Sequence, residues 1–323
     1  MRLARTWLPA CMALVAALLL PVSAQAVTPA RQPAPLATVD HPPVDGVNSF
    51  DNGSRDVPRV ALTFDADMTQ GMLAQLRSGQ VRSWYNREVR DILDAEGVRA
   101  TMFLTGLWVQ AYPDVARSLA HDPLFEIGSH TYDHAAFRTP CYSLPAAADR
   151  TGEIVRAQEQ IEAAAGVRPT LLRFPGDCYD RSDVALARQL GLSVISGDVR
   201  SGDAFNTSAA SVTAVVLRNL KPGSIVLMHL HGGPNAPMTA PALRGIIQGA
   251  RARGLGFGTV SQVLGWPDQP LAAPPTARQL LEPLRALKLE WPGRADQVLA
   301  PYRLRRLRGP RSPGRGLPGQ PVQ

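Results

Sequence analysis

The sequence predicts an α/β protein whose strands form a parallel (β/α) barrel of about seven strands. From residue 57 to residue 267, short apolar runs alternate with amphipathic stretches of helical periodicity. Such alternation is typical of a parallel sheet that is covered by helices. Seven strands within about 210 residues favour a barrel over an open sheet, and barrels of this kind place their chemistry at the carboxyl ends of the strands.

Each element is predicted from its own pattern of apolar residues. The predicted strands are Val60–Phe64, Ala100–Thr105, Phe125–Gly128, Thr170–Phe174, Leu192–Ser196, Ser224–His229 and Gly256–Val260. The predicted helices are Ser83–Ala95, Trp108–Ala120, Ala148–Ala165, Ser182–Leu190, Ser208–Leu220 and Ala240–Arg253. Polar side chains stand at or just beyond the ends of several strands, which is where a barrel collects its functional groups.

The segments on either side of the barrel have different compositions. Residues 1–26 combine two arginines, an apolar run and the sequence Ala24-Gln25-Ala26, which predicts a signal peptide that is removed on export. Its apolar run is short for a transmembrane anchor, so no membrane span is expected after removal. Residues 27–56 are a Pro- and Ala-rich linker, residues 57–267 the catalytic domain, and residues 268–323 a Pro- and Arg-rich tail.

The formal net charge of +7 belongs to these flanking segments. Residues 268–323 contain nine arginines and Lys288 against four acidic residues, whereas residues 27–267 are close to neutral. A basic surface for nucleic acid is therefore not expected on the barrel. The tail is predicted to be a disordered basic extension, and its charge suggests electrostatic contact with anionic polymers of the cell envelope.

Two cysteines remain once the signal peptide is removed. Cys141 and Cys178 lie in loop-like segments of a chain that is predicted to be exported. An even number of cysteines in an exported protein favours a disulfide over two separate buried thiols. No Cys-x-x-Cys motif is present in the sequence, which argues against a zinc knuckle or a thioredoxin-like site.

Two carboxylates and two histidines suggest a metal site. Asp65 and Asp67 leave the end of one predicted strand two residues apart, so both point to the same side. His130 and His134 are four residues apart, which on a helical turn would place both imidazoles on one face. Two imidazoles and one carboxylate would hold a divalent metal and leave positions open for water and substrate. The second carboxylate would then be free to act as a base.

Three further residues stand where acid chemistry and its support would be expected. His229 ends an apolar strand and is a candidate general acid, with His231 as its rival on the same side of the chain. Arg173 ends another strand and would need a buried partner, for which Asp65 is suitable. Asp203 could orient His229 through its second ring nitrogen, and Asp198 competes for that role.

Five segments, in this order, resemble the motifs of the polysaccharide deacetylases, carbohydrate esterase family four, which share the NodB-homology domain. They are Thr63–Asp67, His130–His134, Arg173–Gly176, Ser201–Asp203 and Leu227–His229. The resemblance extends over residues 57–266. It implies a distorted (β/α) barrel, a divalent metal that is most often Zn²⁺, and hydrolysis of acetyl groups on sugars.

The resemblance also assigns roles to single residues. It makes Asp67, His130 and His134 the metal ligands, Asp65 the base and His229 the acid. Arg173 is similar to the arginine that holds the base, and Asp203 is similar to the aspartate that holds the acid. The backbone N–H of Gly176 would help to stabilise the oxyanion.

Three motifs depart from the usual pattern of the family. Ala66 separates two aspartates that are adjacent in many members, and Gly176 stands where a tyrosine is usual. The tryptophan of the fourth motif is absent, and Phe205 is a candidate to replace it. We therefore expect an exported, metal-dependent deacetylase of N-acetylated polysaccharide such as peptidoglycan or a chitin-like glycan, acting through water activated by the metal. The alternatives are an O-acetyl esterase on xylan or another glycan and a non-catalytic carbohydrate-binding barrel.

Overall fold

The structure, a computed structural model, describes residues 49–232 and 234–271 of the chain. The predicted signal peptide, most of the predicted linker and nearly all of the predicted tail lie outside the described residues. Within those residues, no helix combines the length and the apolar character that crossing a bilayer would require.

A nine-stranded parallel sheet forms the centre of the described region. Its strands are β1 Ser49–Phe50, β2 Arg59–Ala66, β3 Ala100–Leu104, β4 Phe125–Ser129, β5 Leu171–Leu172, β6 Ser193–Ile195, β7 Val199–Arg200, β8 Ile225–His229 and β9 Gly256–Phe257. The strand order is β1-β6-β5-β4-β3-β2-β8-β7, and β9 pairs with β2. This arrangement confirms the prediction of a distorted barrel of parallel strands.

Helices cover the outside of the sheet. They are α1 Gln70–Arg77, α2 Arg87–Glu96, α3 Gly106–Ala111, α4 Pro113–Ala120, α5 Arg150–Ala165, α6 Arg181–Gln189, α7 Ala209–Asn219, α8 Thr239–Arg251 and α9 Val260–Leu264, with a 3-10 turn at Pro175–Asp177. The outward residues of β2, such as Leu62 and Phe64, pack against these helices in the largest hydrophobic cluster. The alternate residue Ala61 belongs to a second cluster with Leu171 and Ile225 from β5 and β8.

Two elements differ from their prediction for local reasons. The single helix predicted over Trp108–Ala120 is two helices, because Tyr112 precedes a proline and leaves the helical region (φ −130°, ψ 55°). Pro113 then begins α4. The strand predicted over Gly256–Val260 ends at Phe257, because Thr259 caps the start of α9 with its side chain. The short strands β1 and β7 and the helices α1 and α9 were not predicted at all.

Helix α9 closes the amino-terminal end of the sheet interior. Its residues Val260 and Val263 pack in the same cluster as Ala61 and Leu171. Its first turn is also tied to the strands, because the backbone N–H of Val260 donates to Thr101 Oγ1 at 2.8 Å. The interior is therefore filled at this end, and the polar groups are left to gather at the carboxyl ends of the strands.

Candidate metal and catalytic site

All of the predicted site residues lie at or just beyond the carboxyl ends of the central strands. Asp65 and Asp67 stand at the end of β2 and just after it, and His130 directly follows β4. Asp65 and His229 are direct partners in the register between β2 and β8. Arg173 follows β5 and is 1% exposed. Parallel pairing thus brings together residues that are far apart in the sequence.

Asp67, His130 and His134 form the one cluster that fits a metal ion among the described residues. Asp67 Oδ1 lies 3.4 Å from His130 Nε2 and 3.5 Å from His134 Nε2. Ligand atoms around a tetrahedral Zn²⁺, each about 2.0–2.2 Å from the ion, are separated by about this distance. Asp67 Oδ1 is also buried without a hydrogen-bond partner. The three side chains therefore fit a divalent cation.

The protonation pattern of these residues also suits a metal. His130 Nδ1 lies 2.8 Å from the carbonyl oxygen of Arg173, which can only accept, so Nδ1 carries a proton and Nε2 is the nitrogen that faces Asp67. Burial opposes protonation of His130, but the carboxylates of Asp65 and Asp67 raise its pKa. Burial lowers the pKa of His134 to about 4, which keeps this imidazole neutral at pH 7. Burial opposes ionisation of Asp67, but the imidazoles of His134, His231, His130 and His229 hold its pKa well below the ordinary value.

The segment that carries the two histidines is an irregular loop, so the helical turn predicted for it is wrong. Thr131 and His134 have positive φ values of 64° and 63°, which a helix does not contain. Buried Glu153 on α5 holds the loop, because its Oε2 accepts hydrogen bonds from the backbone N–H groups of Tyr132 and Asp133, both at 3.0 Å. No feature of the sequence identified Glu153 as a support of this loop.

Arg173 and Asp65 form a buried ion pair, as the sequence predicts. Arg173 Nη1 donates to Asp65 Oδ1 at 2.7 Å and to Thr63 Oγ1 at 2.7 Å. Its other donors reach the carbonyl oxygens of Ile195 at 3.2 Å and Ser196 at 3.0 Å. Four of the five N–H donors of the guanidinium are therefore engaged, and one of them fixes one oxygen of Asp65. The second oxygen, Oδ2, lies 4.0 Å from His130 Nε2.

His229 pairs with Asp203 and not with its rival Asp198. His229 Nδ1 lies 2.7 Å from Asp203 Oδ1, and the backbone N–H of His229 donates to Asp203 Oδ2 at 2.9 Å. Thr239 and Ser201 also donate to this carboxylate. Burial opposes protonation of His229, but the Asp203 carboxylate raises its pKa to about 10. Burial likewise opposes ionisation of Asp203, yet His229 lowers its pKa to about 2.

Asp198 lies away from His229, whereas His231 lies beside it, with ring centroids 4.9 Å apart. Asp198 binds Arg55 at 2.8 Å and the backbone N–H of Ile225 at 2.9 Å, at the opposite end of β8 from His229. His231 is 2% exposed, and its Nδ1 lies 3.5 Å from Asp67 Oδ2. His231 therefore lies beside both His229 and the Asp67 carboxylate of the metal cluster.

Gly176 stands in a tight turn next to a disulfide. Its φ of +61° favours glycine, and a Cβ there would lie 2.6 Å from Cys141 Sγ and 3.0 Å from Tyr142. A residue with a side chain would therefore be both strained and crowded at this position. Cys141 and Cys178 are joined in a disulfide with Cα atoms 6.1 Å apart.

Comparison with known proteins supports the resemblance that the sequence motifs suggested. The sequence model described as "Polysaccharide deacetylase" matches residues 52–195. The match supports the resemblance of residues 52–195 to the polysaccharide deacetylases. A peptidoglycan-N-acetylglucosamine deacetylase of Bacillus cereus is 26% identical over 176 residues, which are 54% of this chain and 62% of that protein. The chain thus spans less than two thirds of that relative's length.

Solved structures share the fold. A crystal structure of a peptidoglycan N-acetylglucosamine deacetylase aligns with a TM-score of 0.58 at 23% identity, and it covers 69% of this chain and 95% of that chain. A pseudoenzyme of carbohydrate esterase family four from Bacillus anthracis aligns with a TM-score of 0.55 at 23% identity, over 68% and 70% of the two chains. These similarities support the fold alone. The fold is thus compatible with proteins that are described as active and with one that is described as inactive.

Proposed function

We propose that the protein is a metal-dependent hydrolase that removes acetyl groups from N-acetylated sugars of a polysaccharide. One arrangement carries this proposal. The carboxylate of Asp65 and the imidazole of His229 are neighbours across β2 and β8. Arg173 holds Asp65, and Asp203 holds His229. The metal cluster lies directly beside both of them. A barrel that only bound carbohydrate would have no need of two such fixed acid–base groups.

In this proposal, the position of the metal cluster determines where the acetyl group binds. A divalent ion held by Asp67, His130 and His134, which we propose to be Zn²⁺, would act as a Lewis acid towards water and the acetyl carbonyl. The choice of zinc rests on the mixed nitrogen and oxygen ligand set and on the resemblance to the family.

Asp65 is proposed as the general base. Arg173 occupies its Oδ1, while Oδ2 faces the cluster at 4.0 Å from His130 Nε2. Asp65 Oδ2 would remove a proton from the attacking water. Because the guanidinium also donates to Thr63 and to two backbone carbonyls, the carboxylate cannot rotate freely. Arg173 is thus a positioning residue in this proposal.

His229 is proposed as the general acid. Its Nδ1 is engaged by Asp203, so Nε2 is the nitrogen that can deliver a proton, and Nε2 lies 3.9 Å from Asp67 Oδ2. His229 would protonate the sugar nitrogen as the C–N bond breaks, which gives free acetate and an amino sugar. The backbone N–H of Gly176, in the turn fixed by the disulfide, is proposed to stabilise the oxyanion.

The substrate class and the site of action follow from the relatives and from the chain. The similar proteins of Bacillus cereus and Listeria monocytogenes are named for peptidoglycan, and others for chitooligosaccharide. We therefore propose an acetylated glycan with N-acetylglucosamine units. The disulfide supports the predicted export of the protein, because such bonds persist in oxidising compartments.

Acetate release is the direct test. The full chain, with and without chelator, is incubated with peptidoglycan, N-acetylated chitooligosaccharide and acetylxylan, and free acetate is measured. Release from the first two that is lost with chelator supports the proposal. Release from acetylxylan alone would identify an O-acetyl esterase. No release from any of the three, with zinc present, would favour the non-catalytic carbohydrate-binding barrel.

Two substitutions separate the proposed base from the proposed ligands. Asp65→Asn should lower turnover by at least about 100-fold, because general base catalysis is lost, and it should leave metal binding intact. His130→Ala should abolish metal binding, measured by metal content after dialysis. Retention of most activity by Asp65→Asn would contradict the assignment of the base.

A further inference from the structure

Two exposed aromatic side chains touch each other in the described part of the chain. Only four large apolar side chains there are exposed: Val57 (42%), Tyr142 (47%), Phe205 (59%) and Leu271 (53%). Tyr142 and Phe205 are stacked, with ring centroids 5.8 Å apart and an interplanar angle of 26°. Single exposed apolar residues are common on proteins, but a paired and exposed aromatic surface is typical of a binding site.

The pair lies beside the proposed active site. Tyr142 contacts the turn at Gly176, where its ring lies 3.0 Å from the position that a Cβ would take. Gly176 is three residues from Arg173, which binds Asp65. On the other side, Phe205 is two residues from Asp203, which binds His229. The two rings therefore contact or belong to the short segments that also carry Arg173, which binds the base, and Asp203, which binds the acid.

Both aromatic residues are held in place by their backbone. Tyr142 follows the disulfide-bonded Cys141, and the carbonyl of Cys141 accepts a hydrogen bond from the N–H of Leu144 at 2.7 Å. Tyr142 and Ser143 both have positive φ values, 44° and 62°, which are unfavourable for residues with side chains. The N–H of Phe205 donates to the carbonyl of Gly202 at 3.1 Å and closes a turn.

The backbone conformation at Tyr142 and the exposure of its ring do not favour folding. A strained, disulfide-anchored loop is more easily explained if it presents the ring to a ligand. A rigid aromatic ring also binds with little loss of conformational entropy. The ligand has to be compatible with the neighbouring site, which in the proposed function takes one sugar of a chain.

We propose that Tyr142 and Phe205 form a binding surface for a pyranose ring of the glycan, adjacent to the sugar whose acetyl group enters the site. This inference rests on the proposed function for the identity of the ligand. The C–H groups on one face of a pyranose carry partial positive charge, and they pack well against the electron-rich face of an aromatic ring. The surface would bind oligosaccharides and would not bind single sugars.

The test measures binding without turnover. A tetramer of β-1,4-linked glucosamine, which has no acetyl group to lose, is titrated into the full chain by calorimetry, with glucosamine monomer as the comparison. Phe205→Ala should raise the Kd for the tetramer about tenfold, as is typical of an aromatic contact at the centre of an interface. Phe205→Trp should restore binding. Tyr142→Ala combined with Phe205→Ala should weaken it further.

Val57→Ala is the matched control. Val57 is an exposed apolar residue that precedes β2, and Asp65 lies near the other end of that strand, so the length of β2 separates Val57 from the proposed base. This variant should bind the tetramer as the wild type does. Failure of the wild type to bind the tetramer, or an unchanged Kd in Phe205→Ala, would overturn the proposal. A lower Tm of Phe205→Ala with an unchanged Kd would assign the pair to loop packing and would also overturn it.

The same variants separate this inference from the proposed function. If tetramer binding depends on Phe205 but the protein releases no acetate from any substrate, the deacetylase function is refuted and the sugar-binding surface is supported. With activity present, Phe205→Ala should raise KM for an N-acetylated tetramer and leave kcat almost unchanged. An equal loss of kcat would mean that the ring acts on the catalytic groups and not on a neighbouring sugar.

Discussion

The two ends of the sheet interior both contain buried carboxylates, but the carboxylates at the two ends have different kinds of partner. At the carboxyl end, Asp65 is paired with Arg173, and Asp67 is surrounded by histidines. At the amino end, Glu126 on β4 is 3% exposed, and no cation pairs with it among the contacts of the described residues. Its Oε2 accepts from Thr101 Oγ1 at 2.8 Å and from the N–H of Ser261 at 3.3 Å.

The difference indicates that the partners of a buried carboxyl group decide the direction in which its pKa shifts. Burial raises the pKa of Glu126, and its neutral donors do not reverse the effect. Burial acts in the same direction on Asp67, yet the imidazoles around it lower its pKa well below the ordinary value. One end of the interior is therefore suited to metal and acid–base chemistry, whereas at the other end the carboxyl group ties helix α9 to the strands.

The largest effect is expected from removing the guanidinium of Arg173 at the carboxyl end. Arg173→Met leaves Asp65 buried without its partner, which should lower the free energy of unfolding by about 3–5 kcal/mol in urea denaturation. The double variant with Asp65→Asn should be more stable than Arg173→Met alone, because no unpaired charge remains. Arg168→Met is the surface control, since its pair with Glu162 is about half exposed and should contribute little. A loss below about 1 kcal/mol for Arg173→Met would contradict the comparison.

A smaller effect is expected from His231, which the sequence analysis named only as an alternative general acid. His231 Nδ1 is buried without a hydrogen-bond partner and lies 3.5 Å from Asp67 Oδ2. His231→Gln should weaken zinc binding about tenfold, as measured by chelator competition, because it removes a neighbour that orients the ligand carboxylate. His121→Gln, at the end of α4, should leave zinc affinity unchanged. Equal zinc affinities of His231→Gln and wild type would show that His231 only fills space.

The smallest effect is expected at the amino end, and it depends on pH. Because the folded pKa of Glu126 is raised, the folded state holds this proton more tightly than the unfolded state does. The stability of the wild type should therefore fall as pH rises from the unfolded pKa through the folded pKa. Glu126→Gln should remove this fall and be more stable at pH 8, by about 1.4 kcal/mol for each unit of pKa difference.

Urea denaturation of both proteins between pH 4 and pH 8 measures this difference. The advantage of Glu126→Gln should vanish at the acid end of the range, where Glu126 is protonated in both states. A constant difference at every pH would indicate a packing change and not a charge effect, and would contradict the interpretation of this end of the interior.

Much of the fold followed from the sequence because its signals are local. Every predicted strand has a counterpart in the sheet, since apolar runs between helical segments are short-range patterns. The elements that were missed are the two-residue strands β1 and β7 and the helices α1 and α9. Strands of that length carry too few residues to show a periodicity. The predicted termini lie outside the described residues, so those expectations remain predictions.

The sequence by itself determined which residue types face each other at the carboxyl end of the sheet. Strand ends of a parallel sheet converge, so Asp65, Asp67, His130 and Arg173 were expected to meet, and their chemistry suggested a metal and a base. This reasoning needed only strand positions and the charge of each side chain. It reached the ion pair between Arg173 and Asp65 because a buried guanidinium requires a partner.

Only the tertiary structure decided between residues that are close in sequence. Asp198 and Asp203 are five residues apart, yet one lies at the start of β8 and the other at its end, because β7 runs parallel to β8 between them. The shape of the histidine loop depends on Glu153 from a distant helix, and the contact between Tyr142 and Phe205 joins two separate loops. Such choices follow from long-range register and loop packing, which no local pattern of residues encodes.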